Sequence, residues 1–187
     1  MALPPTIPHL AAEAAARFGD RPALLGDDEN WSFAELWRRA REAASAFLAQ
    51  GVVSGERIAI WAPNRREWIV ATIGAQTIGA AIVPLNTRLK GREAGDILRR
   101  TGARLLFTVG DFLGVDYPTL LADEALPDLE RTILFDRDWD AFLAQGAGAD
   151  DPRIAGALAA LGPDTLSDIM FTSGTTGTPK GVLTTHG

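Results

Sequence analysis

The residues best equipped for chemistry crowd into one stretch near the end of the sequence: Thr172, Ser173, Gly174, Thr175, Thr176, Gly177, Thr178, Pro179, Lys180 and Gly181. These ten residues hold three Gly, four Thr, one Ser, one Lys and no acid. Glycines let a backbone turn through φ > 0 and approach a ligand closely. Successive backbone N–H groups can then converge on an anion. The hydroxyls add donors, and Lys180 adds a mobile point charge that suits phosphate. No carboxylate is present to repel a polyphosphate. That chemistry is phosphate binding, although the same composition also describes a flexible surface loop joining two strands, and composition leaves both open. Spacing excludes two other phosphate loops. A Walker A loop places Gly-Lys-Ser/Thr at the start of a helix, whereas Lys180 is followed by Gly181, Val182 and Leu183. A G-x-G-x-x-G dinucleotide fingerprint occurs nowhere in the chain.

Other reactive side chains are sparse. There is no cysteine, so disulfides, thiolate metal sites and cysteine nucleophiles are excluded. Two histidines far apart, His9 and His186, make a zinc site built by this chain a poor fit. Ser173 lacks the G-x-S-x-G elbow of a serine nucleophile. The five tryptophans (31, 37, 61, 68 and 139) read as core and helix-surface packing. The pairs Arg38-Arg39, Arg65-Arg66 and Arg99-Arg100 read as solvated helix faces. Asp150-Asp151 before Pro152 reads as a helix start.

The elements that must position the loop follow from periodicity and punctuation. Short strands are expected at 21–25 and 30–33. A helix over 32–50 is announced by Ser32 and Glu35 in capping-box spacing and stopped by Gly51. Strands are expected at 57–61, 80–84, 104–109, 131–135 and 166–171. Helices are expected from Asn64 to about Gly79, over 91–101 closed by Gly102, over 115–124, 139–145 and 153–161. Alternating strands and helices with short links predict an α/β fold, a mostly parallel sheet covered by helices. A last strand is expected over 182–185.

Composition agrees with a folded protein. The chain has 187 residues, 47% of them hydrophobic, and a net charge of −6. The acidic balance speaks against nucleic-acid binding, which needs a basic face. Residues 68–85 carry no charge over 18 positions, the lower edge of a membrane span. Gly74, Gly79, Gln76, Thr72 and Thr77 dilute the stretch, and it reads as a buried helix followed by a buried strand. The start lacks a basic segment followed by an apolar run, so no signal peptide is expected. With the absent cysteines, this predicts a cytoplasmic protein.

The string TSGTTGTPKGV closely resembles the signature phosphate loop of the adenylate-forming superfamily: acyl-CoA synthetases, adenylation domains of peptide synthetases and firefly-type luciferases. The resemblance extends upstream through WSFAEL (31–36), GERIAI (55–60), PNRREW (63–68) and GAAIVPLNTRL (79–89). Within the superfamily, NTRLKGREAGDIL and FTVGDFLGVDY look most like actinobacterial acyl-CoA ligases, some of which act on propanoate side chains of steroid-ring fragments. The resemblance implies an incomplete N-terminal AMP-binding domain over 1–187: opening helices and short strands (1–56), βαβ units (57–135), a linker with short helices (136–164), then strand, phosphate loop and strand (165–187). It implies ATP, Mg2+ and coenzyme A as cofactors, a small carboxylic acid as substrate, and an acid–thiol ligation passing through an acyl-adenylate. The phosphate contacts then fall to Thr172, Ser173, Gly174, Thr175, Thr176, Gly177, Thr178 and Lys180, with Lys180 orienting phosphate and not acting as a base. His186 is implied near the acyl pocket, beside its alternative as an ordinary polar residue after a strand. The family's later motifs, including a magnesium-holding Glu and a catalytic Lys, are absent from these residues, so no catalytic residue is expected here and the 187 residues alone are expected not to complete adenylation. A nucleotide- or polyphosphate-binding module without catalysis is the alternative. Oligomeric state has no sequence signal.

Overall fold

A computed structural model describes residues 4–26, 29–172 and 179–187. The chain opens with α1 (Ile7–Phe18), whose N-terminus is capped by Thr6. The short strands β1 (Pro22–Leu24) and β2 (Trp31–Ser32) pair antiparallel. Then comes α2 (Phe33–Ala49), where Ser32 Oγ accepts from the Glu35 N–H at 3.1 Å. The other half of the expected capping box is replaced: the Glu35 carboxylate binds Arg38 and Arg39, each at 2.7 Å.

A regular alternation follows: β3 (Arg57–Trp61), α3 (Arg66–Thr77), β4 (Ala81–Pro84), α4 (Gly91–Thr101) and β5 (Leu105–Thr108). The chain continues through β6 (Asp111–Phe112), β7 (Val115–Asp116), α5 (Tyr117–Leu120), β8 (Arg131–Leu134), α6 (Trp139–Leu143), α7 (Pro152–Ala159), β9 (Leu166–Thr172) and β10 (Lys180–Thr185). The main sheet has six strands in the order β10-β9-β4-β3-β5-β8. Its pairs are parallel except β9–β10, which is antiparallel. The predicted fold class is therefore the observed one. From β3 the chain moves one way along the sheet to β4, then back across to β5. Right-handed crossovers in opposite directions place α3 and α4 on opposite faces. One face carries α1, α2, α3, α6 and α7, and the other carries α4 and α5. Strands covered on both faces read as continuous apolar runs; Ile58, Ile60, Trp61, Ile82, Leu105, Leu106 and Phe107 are all buried.

Three expectations need correction. The helix expected from Asn64 begins at Arg66, because Arg65 is fully extended (φ −157°) and its guanidinium binds Glu67 at 2.7 Å. The helix expected over 115–124 is a β6–β7 hairpin and a helix of four residues. The two-residue turn Leu113-Gly114 has both φ values positive, at 56° and 77°, which is the twist a tight hairpin requires. Gly114 hinted at it, but a leucine in the left-handed region leaves no trace in sequence. Two of the Arg pairs, Arg38-Arg39 and Arg65-Arg66, are also not simply solvated, whereas Arg99 and Arg100 are exposed as expected. Arg39 and Arg66 lie over the buried Trp31 ring at 4.2 and 5.0 Å, and Arg65 lies over Phe135 at 5.1 Å. Among the described residues no helix is long and apolar enough to cross a membrane; the uncharged stretch at 68–85 forms most of α3 and all of β4.

Candidate functional site

The two flanks of the Gly/Thr stretch are register partners. Thr172 ends β9 and lies opposite Lys180, which begins β10. Both are exposed, and no carboxylate among the described residues pairs with Lys180. Ser173, Gly174, Thr175, Thr176, Gly177 and Thr178 lie outside the described residues. Because β9 runs parallel to β4, this hairpin turns at the carboxyl end of the parallel strands. Ligands in open α/β sheets bind in the crevice beyond that end.

Two cavities mark the place. One, of about 550 Å³, lies beyond the ends of β3 and β4 and is lined by Asn64, Trp68, Leu85, Asn86 and Thr87 among others. The second, of about 520 Å³, lies between the β4–α4 link, helix α4 and the hairpin, against Asn86, Arg88, Glu93, Phe171, Thr172 and Pro179. Pro84 and Asn86 border both. The link between them is fixed through its carbonyls: Trp61 Nε1 donates to Asn86 O at 3.0 Å, and Tyr117 Oη donates to Thr87 O at 2.8 Å. The Trp61 and Tyr117 rings meet edge to face at 4.6 Å. Asn86 Oδ1 accepts from the Arg88 N–H at 2.9 Å. The Glu93 carboxylate accepts from the Lys90 N–H at 2.8 Å, closing the first turn of α4. The site thus combines a rigid link, the side chain of Arg88 and the loop flanks, with Lys180 at the start of β10 lining neither cavity.

The structure separates His186 from this region. His186 follows the far end of β10, six positions from Lys180, or about 20 Å along a strand. Its backbone N–H donates to Thr165 O at 3.1 Å, and its Nδ1 accepts from the Ile7 N–H at the start of α1. Burial pushes its pKa down from 6.5, with Asp168 opposing and His9 reinforcing the shift. Its observed surroundings are the opposite end of the sheet. Asn86, Arg88 and Phe171 were not singled out by sequence reasoning, and Arg100 was assigned to a solvated face. A cue existed for the last: Glu93, Ile97 and Arg100 share one helix face by spacing.

The AMP-binding enzyme family profile matches residues 11–187. A 3-[(3aS,4S,7aS)-7a-methyl-1,5-dioxo-octahydro-1H-inden-4-yl]propanoyl:CoA ligase of Mycobacterium tuberculosis is 44% identical over 186 residues, covering 97% of this chain and 36% of that protein. The ligase of the same name from Rhodococcus jostii is 39% identical, covering 98% and 38%. The N-terminal domain of FACL13 from Mycobacterium tuberculosis superposes with a TM-score of 0.83 at 30% identity, covering 97% of this chain and 44% of that one. The chain therefore spans little more than a third of the curated relatives it matches.

Proposed function

The chain belongs to the AMP-binding enzyme family, and we propose that it is the N-terminal part of an ATP-dependent acyl-CoA ligase, with residues 172–180 as its phosphate loop. The observation that carries this reading is the Thr172–Lys180 hairpin at the carboxyl end of the sheet, opening beside a cavity rimmed by Arg88. In the reaction a substrate carboxylate oxygen attacks the α-phosphorus of ATP. The new O–P bond forms as the α–β anhydride breaks, and pyrophosphate leaves. The thiol of coenzyme A then attacks the acyl carbon, losing its proton, and AMP leaves as the C–S bond forms.

This chain's contribution is to the leaving group. Negative charge grows on the β- and γ-phosphates as the anhydride breaks, and donors already in place stabilise it. Lys180 supplies a cation there, and Thr172 supplies a hydroxyl from the opposite strand. The loop residues Ser173, Gly174, Thr175, Thr176, Gly177 and Thr178 supply further donors in this reading. Among the described residues no group of three or more His, Asp or Glu is placed to hold a metal ion. No step is therefore assigned to these residues through Mg2+. The two curated ligases support a propanoate borne on a reduced indane ring as the substrate class, and we read the protein as cytoplasmic.

The test uses the full-length protein that carries this sequence. Carboxylate-dependent exchange of labelled pyrophosphate into ATP is measured with ring-bearing propanoates and with straight-chain acids. Exchange is expected with the ring-bearing acids. Lys180→Met is expected to lower kcat/KM for ATP by about 10- to 100-fold, the loss of roughly 1.4–2.7 kcal/mol of transition-state stabilisation, with little change in KM for the acid. Absence of exchange with every acid would overturn the reading.

A further inference from the structure

We infer that Arg100 is a positioning residue for Lys180: it braces both strands at the base of the phosphate loop and sets the direction in which Lys180 leaves it. This rests on the phosphate-binding reading above. Arg100 lies in the last turn of α4, on the helix face whose earlier members Glu93 and Ile97 line the cavity beside the hairpin. Its Nη1 donates to the carbonyl oxygen of Pro179 at 2.8 Å. That carbonyl belongs to the peptide unit that carries the N–H of Lys180. A peptide unit is planar, so pinning its oxygen fixes the plane from which the Lys180 Cα departs.

The same guanidinium lies over the Phe171 ring at 5.0 Å. Phe171 pairs across the strands with Gly181. A Cβ at Gly181 would come within 3.1 Å of that ring and 3.3 Å of Ile169. The ring therefore lies across bare backbone where a side chain would otherwise stand, the arrangement by which an aromatic shields a strand glycine. Gly181, the Phe171 ring and the Arg100 guanidinium form three layers, and they join the strand that enters the loop to the strand that leaves it. Asp96 at 3.3 Å partly balances the charge and steadies the guanidinium. A planar fork can donate in its plane and stack through its face at once, which a lysine ammonium cannot. Arg100 keeps these partners although its side chain is 38% exposed.

The test again uses the full-length protein, comparing wild type with R100A and R100K. R100A is expected to raise KM for ATP about tenfold, the scale of one lost charge-assisted hydrogen bond, while KM for the carboxylic acid stays within twofold. R100K keeps a donor without the stack and is expected to fall between, and it remains informative if R100A folds poorly. Hydrogen exchange of the backbone amides at 180–182 is expected to quicken in R100A. Wild-type ATP affinity and unchanged exchange in R100A would overturn the inference, as would equal rises in KM for both substrates. Accelerated exchange in R100A, with no ATP turnover by the wild type, would sustain the brace and sink the phosphate reading.

Discussion

A single buried carboxylate shows how residue chemistry ties helices together away from the site. Asp151 caps α7, and its side chain is almost wholly buried. Its carboxylate accepts from the Arg153 guanidinium at 2.7 Å, from the Arg153 N–H at 3.0 Å and from Ser45 Oγ at 2.7 Å. Ser45 Oγ in turn accepts from the Ala147 N–H at 2.7 Å, so α2, the 144–151 link and α7 share one network. The Arg153 guanidinium, aided by Ser45 and the Arg153 N–H, holds the Asp151 carboxyl well below the usual carboxylate range. A depressed folded-state pKa means that the unfolded chain binds the proton more readily. The stabilisation is then complete above the unfolded value of about 3.9 and is lost as pH falls toward the folded value. Asp151→Asn is expected to cost about 1–3 kcal/mol at pH 6–8. In urea melts run from pH 7 down to pH 3, the gap between wild type and variant should narrow below about pH 4. A gap unchanged at pH 3 would show that the charge of Asp151 contributes nothing.

At the scale of elements, α2 and α3 pack backbone against backbone. A Cβ at Gly74 would come within 2.8 Å of the Ala43 Cβ and 2.9 Å of the Ala40 carbonyl oxygen. Buried Ala40, Ala43, Ala44, Ala71 and Ala75 complete a contact made of small side chains. Gly74→Ala is expected to force these backbones apart at about 1–3 kcal/mol, or about 2–4 °C in Tm per kcal/mol for a chain of this length. Gly156 is the control: it sits in α7 with nothing within 4 Å of its added Cβ. Gly156→Ala should be neutral or raise Tm slightly, because alanine is the better helix former. Thermal melts giving both variants the same shift would refute the close-packing account. Such elements were largely legible in sequence. Gly91–Thr101 was read to the residue because Gly102 ends it in the left-handed region (φ 58°, ψ 42°), and the strands were legible through their apolar runs. The Leu113-Gly114 turn was not, because no local propensity asks a leucine to adopt positive φ. The loop flanks were legible through composition and the resemblance. The Arg100 brace was not, because it joins positions 79 residues apart.

For the molecule as a whole, the fold gathers its candidate chemistry at one end of the sheet and leaves a liability along one side. The carboxyl ends of β3, β4 and β9 converge on the two cavities, while the edge strand β10 pairs only with β9 among the described residues. All six residues of β10 are exposed, with Val182 at 48% and Leu183 at 67%. Met170, the partner of Val182 on β9, is 49% exposed. Alternation along the strand puts Val182 and Leu183 on opposite faces, so the edge is apolar on both. A long, unpaired, apolar edge is a template for pairing with another chain. The net charge of −6 offers only weak long-range repulsion, because salt at about 0.15 M screens it within about 8 Å. The 187-residue chain is therefore expected to self-associate as its concentration rises. Leu183→Lys places a charge on the edge, a natural device against such pairing, and should move the onset of association to higher concentration. Light scattering across a dilution series would show this, with salt addition narrowing the difference between the two chains. A wild-type chain that stays monodisperse at high concentration would mean that β10 does not template pairing.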